Sequence, residues 1–83
     1  MVLRIKLLLF ASAKDLFGKG SDTWEFADGA KLQDLIDKLK SEKNMDLKTL
    51  RFSVALNKKY VKEADMLLSD SDEVAILPPL GGG

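Results

Sequence analysis

The sequence predicts an α+β domain in which a mixed sheet of about five strands packs on one main helix. Three observations lead to this fold class. Apolar and charged residues alternate from Val2 toward Phe10, as in a strand with one buried face. Apolar residues between Ala30 and Lys43 recur with helical spacing. A last apolar run, Val74 to Leu77, is followed by two prolines, which stop a strand.

The composition is that of a single folded domain with a modest core. The 83 residues are 46% apolar and 31% charged, and thirteen basic residues balance thirteen acidic ones. A neutral chain offers no bulk charge to nucleic acid, and the longest apolar run, Leu7 to Ala11, is too short to span a membrane. We expect one domain over 1–83 with a flexible tail at 80–83, no nucleic-acid or membrane partner, and, without signal-peptide architecture, a cytoplasmic location.

The absence of two residue types restricts the chemistry. The chain contains no cysteine and no histidine, so the usual thiol nucleophile, the commonest general base and the commonest zinc ligands are missing. We therefore expect a protein that is not catalytic alone and binds neither a metal nor a cofactor. The terminal carboxyl group remains as its chemical handle.

The first half of the chain predicts a strand, a short helical turn and a second strand. The first strand has an apolar face, and its opposite face becomes apolar near Phe10, which suggests that it is covered there. Ala13, Leu16 and Phe17 have the spacing of a helical turn that Gly18 would end. The second strand covers Thr23 to Ala27 and places Trp24 and Phe26 on one side.

The main helix is predicted over residues 30–43. Asp28 is its candidate N-cap, and Asp34 and Lys38 have the spacing of an exposed ion pair. One face of the helix carries an apolar stripe that we expect to pack on the sheet: Leu32, Leu35, Ile36 and Leu39.

The second half of the chain predicts a loop and three strands. Asn44 to Leu50 lacks a clean period and predicts a loop, and Phe52 to Leu56 alternates as a strand. A hairpin turn over residues 57–59 then leads to the returning strand, Tyr60-Val61. The pattern of elements leaves the topology of the sheet open.

The end of the chain is its most unusual segment. After Pro78-Pro79 come Leu80 and three glycines, Gly81 to Gly83. Because glycines lack side chains, we expect them to form a thin, mobile segment. Residues 80–83 reach roughly 13 Å when extended, at about 3.3 Å each. That length would carry a carboxyl group into a partner's narrow cleft, although a frayed terminus is the simpler interpretation of the glycines alone.

Two segments resemble a known family. Residues 70–83, with an acidic turn, an apolar strand, a Pro-Pro pair and terminal glycines, resemble the C-terminus of the small subunit of molybdopterin synthase. Residues 10–18, Phe-Ala-Ser-Ala-Lys-Asp-Leu-Phe-Gly, resemble the family's Phe-Ala-x-x-Arg-Glu-Leu-x-Gly stretch after the first strand. The resemblance spans nearly the whole chain. It implies the ubiquitin-like β-grasp fold, with the first and last strands adjacent and parallel at the centre of the sheet.

The resemblance also implies a function for the tail. An ATP-dependent adenylating enzyme would activate the carboxylate of Gly83, which would then become a thiocarboxylate. The sulfur would pass to a cyclic pterin phosphate precursor and build the dithiolene of molybdopterin, for molybdenum or tungsten. The substrate pocket would lie on a larger partner subunit, in a heterotetramer of two small and two large chains. Gly81 and Gly82 would keep this segment narrow.

The candidate partner contacts surround the tail. Phe10, Leu77 and Leu80 could form an apolar docking patch, although Phe10 and Leu77 could equally be core residues. Pro79, which lies between Leu77 and Leu80 in the sequence, is a further candidate contact. Lys14 and Asp15 stand where the family more often has Arg and Glu, so they are either partner contacts or a solvated pair, and any bidentate Arg contact is in doubt. Lys58 and Lys59 read as a solvated hairpin tip.

Two other functions remain open. A carrier of sulfur for the thiazole of thiamine resembles this chain at the Gly-Gly end, but is usually shorter and lacks the stretch at residues 10–18. A ubiquitin-like modifier would be joined through Gly83 to lysines of target proteins. Sulfur carriers would exchange oxygen for sulfur at the terminus, whereas a modifier would form isopeptide conjugates.

Overall fold

The computed structural model describes residues 1–79, and Leu80, Gly81, Gly82 and Gly83 lie outside the described residues. Within the described part, strands and helices follow one another in an α+β order. The elements are β1 (Val2–Leu9), α1 (Ala11–Phe17), β2 (Ser21–Ala27), α2 (Leu32–Lys43), α3 (Leu47–Leu50), β3 (Ser53–Leu56), β4 (Lys59–Val61) and β5 (Glu73–Leu77).

The five strands form one mixed sheet in the order β2-β1-β5-β3-β4. β1 and β5, which are distant in sequence, pair in parallel at its centre, with Leu7 opposite Val74. All other neighbours are antiparallel. The predicted central, parallel pairing of the first and last strands is confirmed, and the fold is the ubiquitin-like β-grasp.

The core lies between α2 and one face of the sheet. Leu32, Leu35 and Leu39 of α2 are completely buried, as the helical stripe predicted, whereas Ile36 is only half-buried. The sheet contributes the alternate residues of its two central strands: Leu3, Ile5, Leu7 and Leu9 from β1, and Val74 and Ile76 from β5. Burial of these side chains supplies the main driving force for folding.

The second face of the sheet carries no helix among residues 1–79. Its residues on β1 are charged near the start of the strand, and Arg4 pairs with Glu25 on β2 at 3.5 Å. In the same described residues, no helix is long and apolar enough to cross a membrane.

α1 closes one end of the core. Ala13 and Phe17 are buried, whereas Leu16, which has the same helical spacing, is 53% exposed. Gly18 ends the helix with φ 102°, a left-handed conformation that favours glycine. Phe17 packs on Trp24 of β2 with 5.8 Å between ring centroids.

Two sequence-based details at α2 are wrong. Asp28 is not the N-cap but lies in the turn after β2, because Lys31 forms an isolated bridge with Leu67 and delays the helix to Leu32. Asp34 does not pair with Lys38: its carboxylate accepts the backbone N–H of Lys31 at 2.8 Å. The Lys38 amine instead lies 4.9 Å from the ring centroid of Trp24.

The hairpin between β3 and β4 agrees with its prediction. Asn57 and Lys58 have φ values of 50° and 72°, and two positive values in a row are typical of a type I′ turn. The Asn57 side chain accepts the backbone N–H of Glu73 at 2.9 Å, which ties the hairpin to the start of β5.

Candidate functional site

The tail root, which we define as Leu77, Pro78 and Pro79, lies at the end of the central strand. β5 is flanked by β1 on one side and by β3 on the other. Pro78 is half-buried and Pro79 is exposed. Neither proline has a backbone N–H to donate, so the ladder stops and the chain departs from the sheet here. Two neighbouring strands therefore fix the point from which residues 80–83 begin.

Phe10 borders the tail root on the β1 side. Its backbone is extended, with φ −117° and ψ 146°, and its N–H donates to the carbonyl of Ile76 at 3.3 Å. Since Leu9 pairs with Ile76, the next position brings Phe10 beside Leu77. The Phe10 side chain is 46% exposed, so it is not a core residue. Of the two interpretations from sequence, the structure favours a surface role for Phe10.

The open face of the sheet is apolar beside the tail root. The register places Leu8 next to Ala75, and Ala75 next to Ala55. Phe10 and Leu77 extend this surface by one row. We call the five residues the tail-root patch: Leu8, Phe10, Ala55, Ala75 and Leu77. Leu8, Ala75 and Leu77 are half-buried, and Ala55 is buried between its neighbours. The apolar area that stays accessible, chiefly at Phe10, is typical of a docking surface.

Sequence reasoning found only part of this patch. The change from charged to apolar residues toward Phe10 predicted that this face of β1 is covered near its end, but in the described chain the face is open there, with Phe10 exposed and Leu8 half-buried. Ala55 and Ala75 gave no such signal, because small residues on a strand do not reveal which face they share. Only the register between β3 and β5 joins them to Leu8.

α3 borders the tail root on the β3 side, where the sequence predicted a loop. Asp46 caps this short helix by accepting the backbone N–H groups of Lys48 at 3.2 Å and Thr49 at 3.3 Å. The helix ends at Arg51, and Ser53 then pairs with Leu77. The prediction of a loop over 44–50 is wrong because a four-residue helix is too short to show a period. The available signal was Asp46, a favoured N-cap residue.

The cap also shifts the acidity of Asp46. The Thr49 backbone N–H, with smaller contributions from Lys40 and Lys48, holds the pKa of the Asp46 carboxyl below its ordinary 3.8. Lys40 lies 3.7 Å from that carboxylate. The charged cap is thus favoured in the folded chain.

Acidification is expected to release α3. Because the folded-state pKa of Asp46 is lowered, its stabilising contribution is present above the unfolded value and is lost as the pH falls through the folded one. An NMR titration should show the Lys48 and Thr49 amide signals shifting together with the Asp46 carboxyl. In Asp46→Asn this shared transition should vanish. A carboxyl pKa at or above that of an unfolded aspartate would contradict the expectation.

The other predicted site residues lie apart from the tail root or outside the described part. The side-chain carbons of Lys14 run beside Gly20, 3.6 Å from the position of a Cβ there, on the β2 side of β1. The structure therefore does not bring Lys14 onto the β5 side. Lys58 and Lys59 lie at the hairpin, at the opposite end of β3 from the tail root. Leu80, Gly81, Gly82 and Gly83 are outside the described residues.

The described residues contain an accessible apolar surface beside the tail root. Within 1–79 no three His, Cys, Asp or Glu side chains lie together as a metal site, and no polar or charged residue is buried. What this part of the chain offers is an apolar patch on a rigid sheet, beside the origin of a glycine tail.

Comparison with known proteins gives consistent matches over nearly the full length. Residues 7–83 match the ThiS family. The molybdopterin synthase sulfur carrier subunit of Chlamydomonas reinhardtii is 41% identical, with 98% of this chain and 100% of the relative covered. A Pyrococcus furiosus protein, assigned as molybdopterin converting factor subunit 1, is 27% identical with a TM-score of 0.83, covering 94% and 99% of the two chains. The complex of subunits 1 and 2 of the Helicobacter pylori molybdopterin-converting factor contains a chain of the same fold, with a TM-score of 0.67, 22% identity and complete coverage of both chains.

Proposed function

This chain belongs to the ThiS family, and from that premise we propose that it is the sulfur carrier subunit of a molybdopterin synthase. The observation that carries the proposal is the origin of the tail: Pro78-Pro79 ends the central strand beside an exposed apolar patch. The name of the Chlamydomonas relative supports the same function. In this proposal the sheet docks on the partner, and the glycines that follow it carry the reactive carboxyl group.

The chemistry rests on the carboxyl group of Gly83. A carboxylate is a poor electrophile, so an adenylating enzyme first joins it to the AMP part of ATP and releases pyrophosphate. Attack of a sulfide-level donor on the acyl carbon releases AMP and leaves a thiocarboxylate. The thiocarboxylate sulfur is a soft nucleophile that passes to the pterin precursor, and water restores the carboxylate. This chain itself needs no cofactor in the scheme, because the adenylating enzyme uses the ATP.

The partner that uses the sulfur is a large subunit with the pterin pocket. The complex of subunits 1 and 2 from Helicobacter pylori supports this arrangement, since its small chain has the same fold. We propose that the tail-root patch docks on the large subunit, so that residues 80–83 enter its pocket. Lys14, Pro79 and Leu80 stay candidate contacts of the same interface.

The function is tested by mass spectrometry of the intact chain. We would incubate it with the adenylating enzyme, ATP and a sulfur donor, and then add the large subunit and the cyclic pterin phosphate. The proposal expects an oxygen-to-sulfur exchange at Gly83, followed by its loss as molybdopterin forms. Isopeptide conjugates would favour a protein modifier, and sulfur transfer to a thiazole precursor would favour the thiamine pathway.

Phe10→Glu is expected to weaken docking on the large subunit without unfolding the chain. Phe10 is 46% exposed, so a charge is tolerated in the free protein but must be desolvated in the interface, which costs at least the roughly 1–3 kcal/mol of burying a neutral polar group. Calorimetry should therefore show about a tenfold or greater loss of affinity.

Val2→Glu is the matched control. Val2 lies on β1, the strand that Phe10 directly follows, is 56% exposed, and occupies the end of β1 remote from the tail root. The Val2→Glu variant introduces the same negative charge as Phe10→Glu and should bind the large subunit like wild type. Equal affinities of wild type and Phe10→Glu would remove Phe10 from the interface.

A further inference from the structure

Arg51 borders the tail root on the β3 side, at a position that the sequence did not single out. Ser53 pairs with Leu77 in antiparallel register. The chain before Ser53 and the chain after Leu77 therefore lie toward the same end of the sheet, beyond the two strands, and Arg51 and Pro79 are each two residues from this pair. Both residues are exposed. Arg51 is therefore a cation beside the exit of the tail.

The backbone of Arg51 is held in a conformation that arginine rarely adopts. Its φ is 59°, in the left-handed region, and its N–H donates to the carbonyl of Lys48 at 3.2 Å. Glycine or asparagine usually fills such a helix-ending position, because a Cβ there is strained. Strained backbone at a non-glycine residue is common at functional sites. Five other non-glycine residues share this conformation, so the case for Arg51 rests on its place near the tail root and on its charge: Ala11, Asn44, Asn57, Lys58 and Ser71.

The charge of Arg51 is not used inside the described chain. Among residues 1–79, four ion pairs form within 4.0 Å, and none of them includes Arg51. Asp46, at the start of the helix that Arg51 ends, is already engaged by Lys40 and by the N–H groups that it caps. The guanidinium is thus available to an outside group.

We propose that Arg51 binds a carboxylate side chain on the large subunit, next to the point where the tail enters that subunit. The inference rests on the proposed function, because it assigns a contact of the same interface. A guanidinium presents a planar fork that matches a carboxylate with two parallel hydrogen bonds. The apolar tail-root patch supplies contact area, and Arg51 fixes the register of the docked sheet at the tail. It is a docking residue and takes no part in the sulfur chemistry.

The chain contains a matched control for the test. Lys58 is also an exposed cation with a left-handed backbone, with φ 72°, but it lies at the opposite end of β3. Arg51→Gly and Lys58→Gly remove the same charge and relieve the same kind of strain. Both variants are expected to melt at or above the temperature of wild type. The two substituted positions differ in that Arg51 is near the tail root and Lys58 is remote from it.

The experiment measures binding of each variant to the large subunit by calorimetry at low and at high salt. Arg51→Gly should bind about five- to tenfold more weakly at low salt, and the difference should shrink as salt is added. Lys58→Gly should bind like wild type. Arg51→Lys, which keeps the charge but loses the fork, should give an intermediate affinity.

Three results would overturn the proposal. Wild-type affinity for Arg51→Gly at low salt would show that the guanidinium makes no contact. Equal weakening by Arg51→Gly and Lys58→Gly would indicate general attraction by net charge. Weakened binding of Arg51→Gly to the adenylating enzyme alone would assign the contact to the other partner. Failure of wild type itself to bind the large subunit would instead refute the proposed function, and the docking role would fall with it.

Discussion

Deletion of Gly83 is expected to abolish sulfur loading of this chain while leaving its melting temperature unchanged. The deletion shortens the tail by roughly 3.3 Å, and a misplacement of about 1 Å at a reacting centre can cost on the order of 10²-fold in rate. Addition of one alanine after Gly83 should be equally damaging, because the carboxyl group then lies one residue too far along. Neither change touches the core, whose buried residues among 1–79 end at Ile76.

The measurement is the intact mass after incubation with the adenylating enzyme, ATP and a sulfur donor. An alanine added before Met1 provides the control, because Met1 is fully exposed at the far end of β1. This variant changes the chain length by the same amount and should load sulfur normally. A normal sulfur adduct on the protein that lacks Gly83 would contradict the assignment of the reactive carboxyl group to Gly83.

The second large effect is expected in the core, where Leu35→Ala should cost about 2–5 kcal/mol of unfolding free energy. Leu35 is completely buried on α2 and packs against the helix-covered face of the sheet. The substitution loses the transfer free energy of the removed carbons and leaves a cavity in the modest core of a small domain. Urea unfolding at constant m-value measures the change.

Leu16→Ala is the control for that substitution. It removes the same atoms from a helix, but Leu16 is 53% exposed on α1, so the cost should be small. Indistinguishable unfolding midpoints for Leu35→Ala and wild type would contradict the packing of α2 on the sheet. A large loss for Leu16→Ala would mean that α1 packs more tightly than its exposure indicates.

Local patterns were sufficient for the elements with strong periodicity. The alternation in β1, the helical stripe of α2 and the two prolines after β5 each depend on neighbouring residues, and each predicted element is present. The resemblance in residues 10–18 and 70–83 added the family and the parallel pairing of β1 with β5. These two segments lie at opposite ends of the chain but meet in the sheet, where Phe10 borders Leu77.

Tertiary contacts overruled the local signals at the helix ends. Asp28 is a good N-cap by residue type, yet the bridge between Lys31 and Leu67 keeps the chain extended past it. Asp34 and Lys38 have favourable spacing, yet the Asp34 carboxylate accepts the N–H of Lys31 in a local cap. The Lys38 amine lies 4.0 Å from Glu42 on the same helix and near the ring of Trp24, which only the tertiary fold brings close.

The sequence by itself determined the family of this protein and the fold class. The absence of cysteine and histidine and the segment Pro-Pro-Leu-Gly-Gly-Gly led to the proposal that the carboxyl group of Gly83 carries the sulfur, and periodicity predicted most of the strands and the main helix. Only the tertiary structure decided what surrounds the tail root. Leu8, Ala55 and Ala75 become one patch through strand register, and Arg51 comes to the tail root because α3 ends there. Such neighbours are separated by tens of residues in the chain, so no local pattern can bring them together.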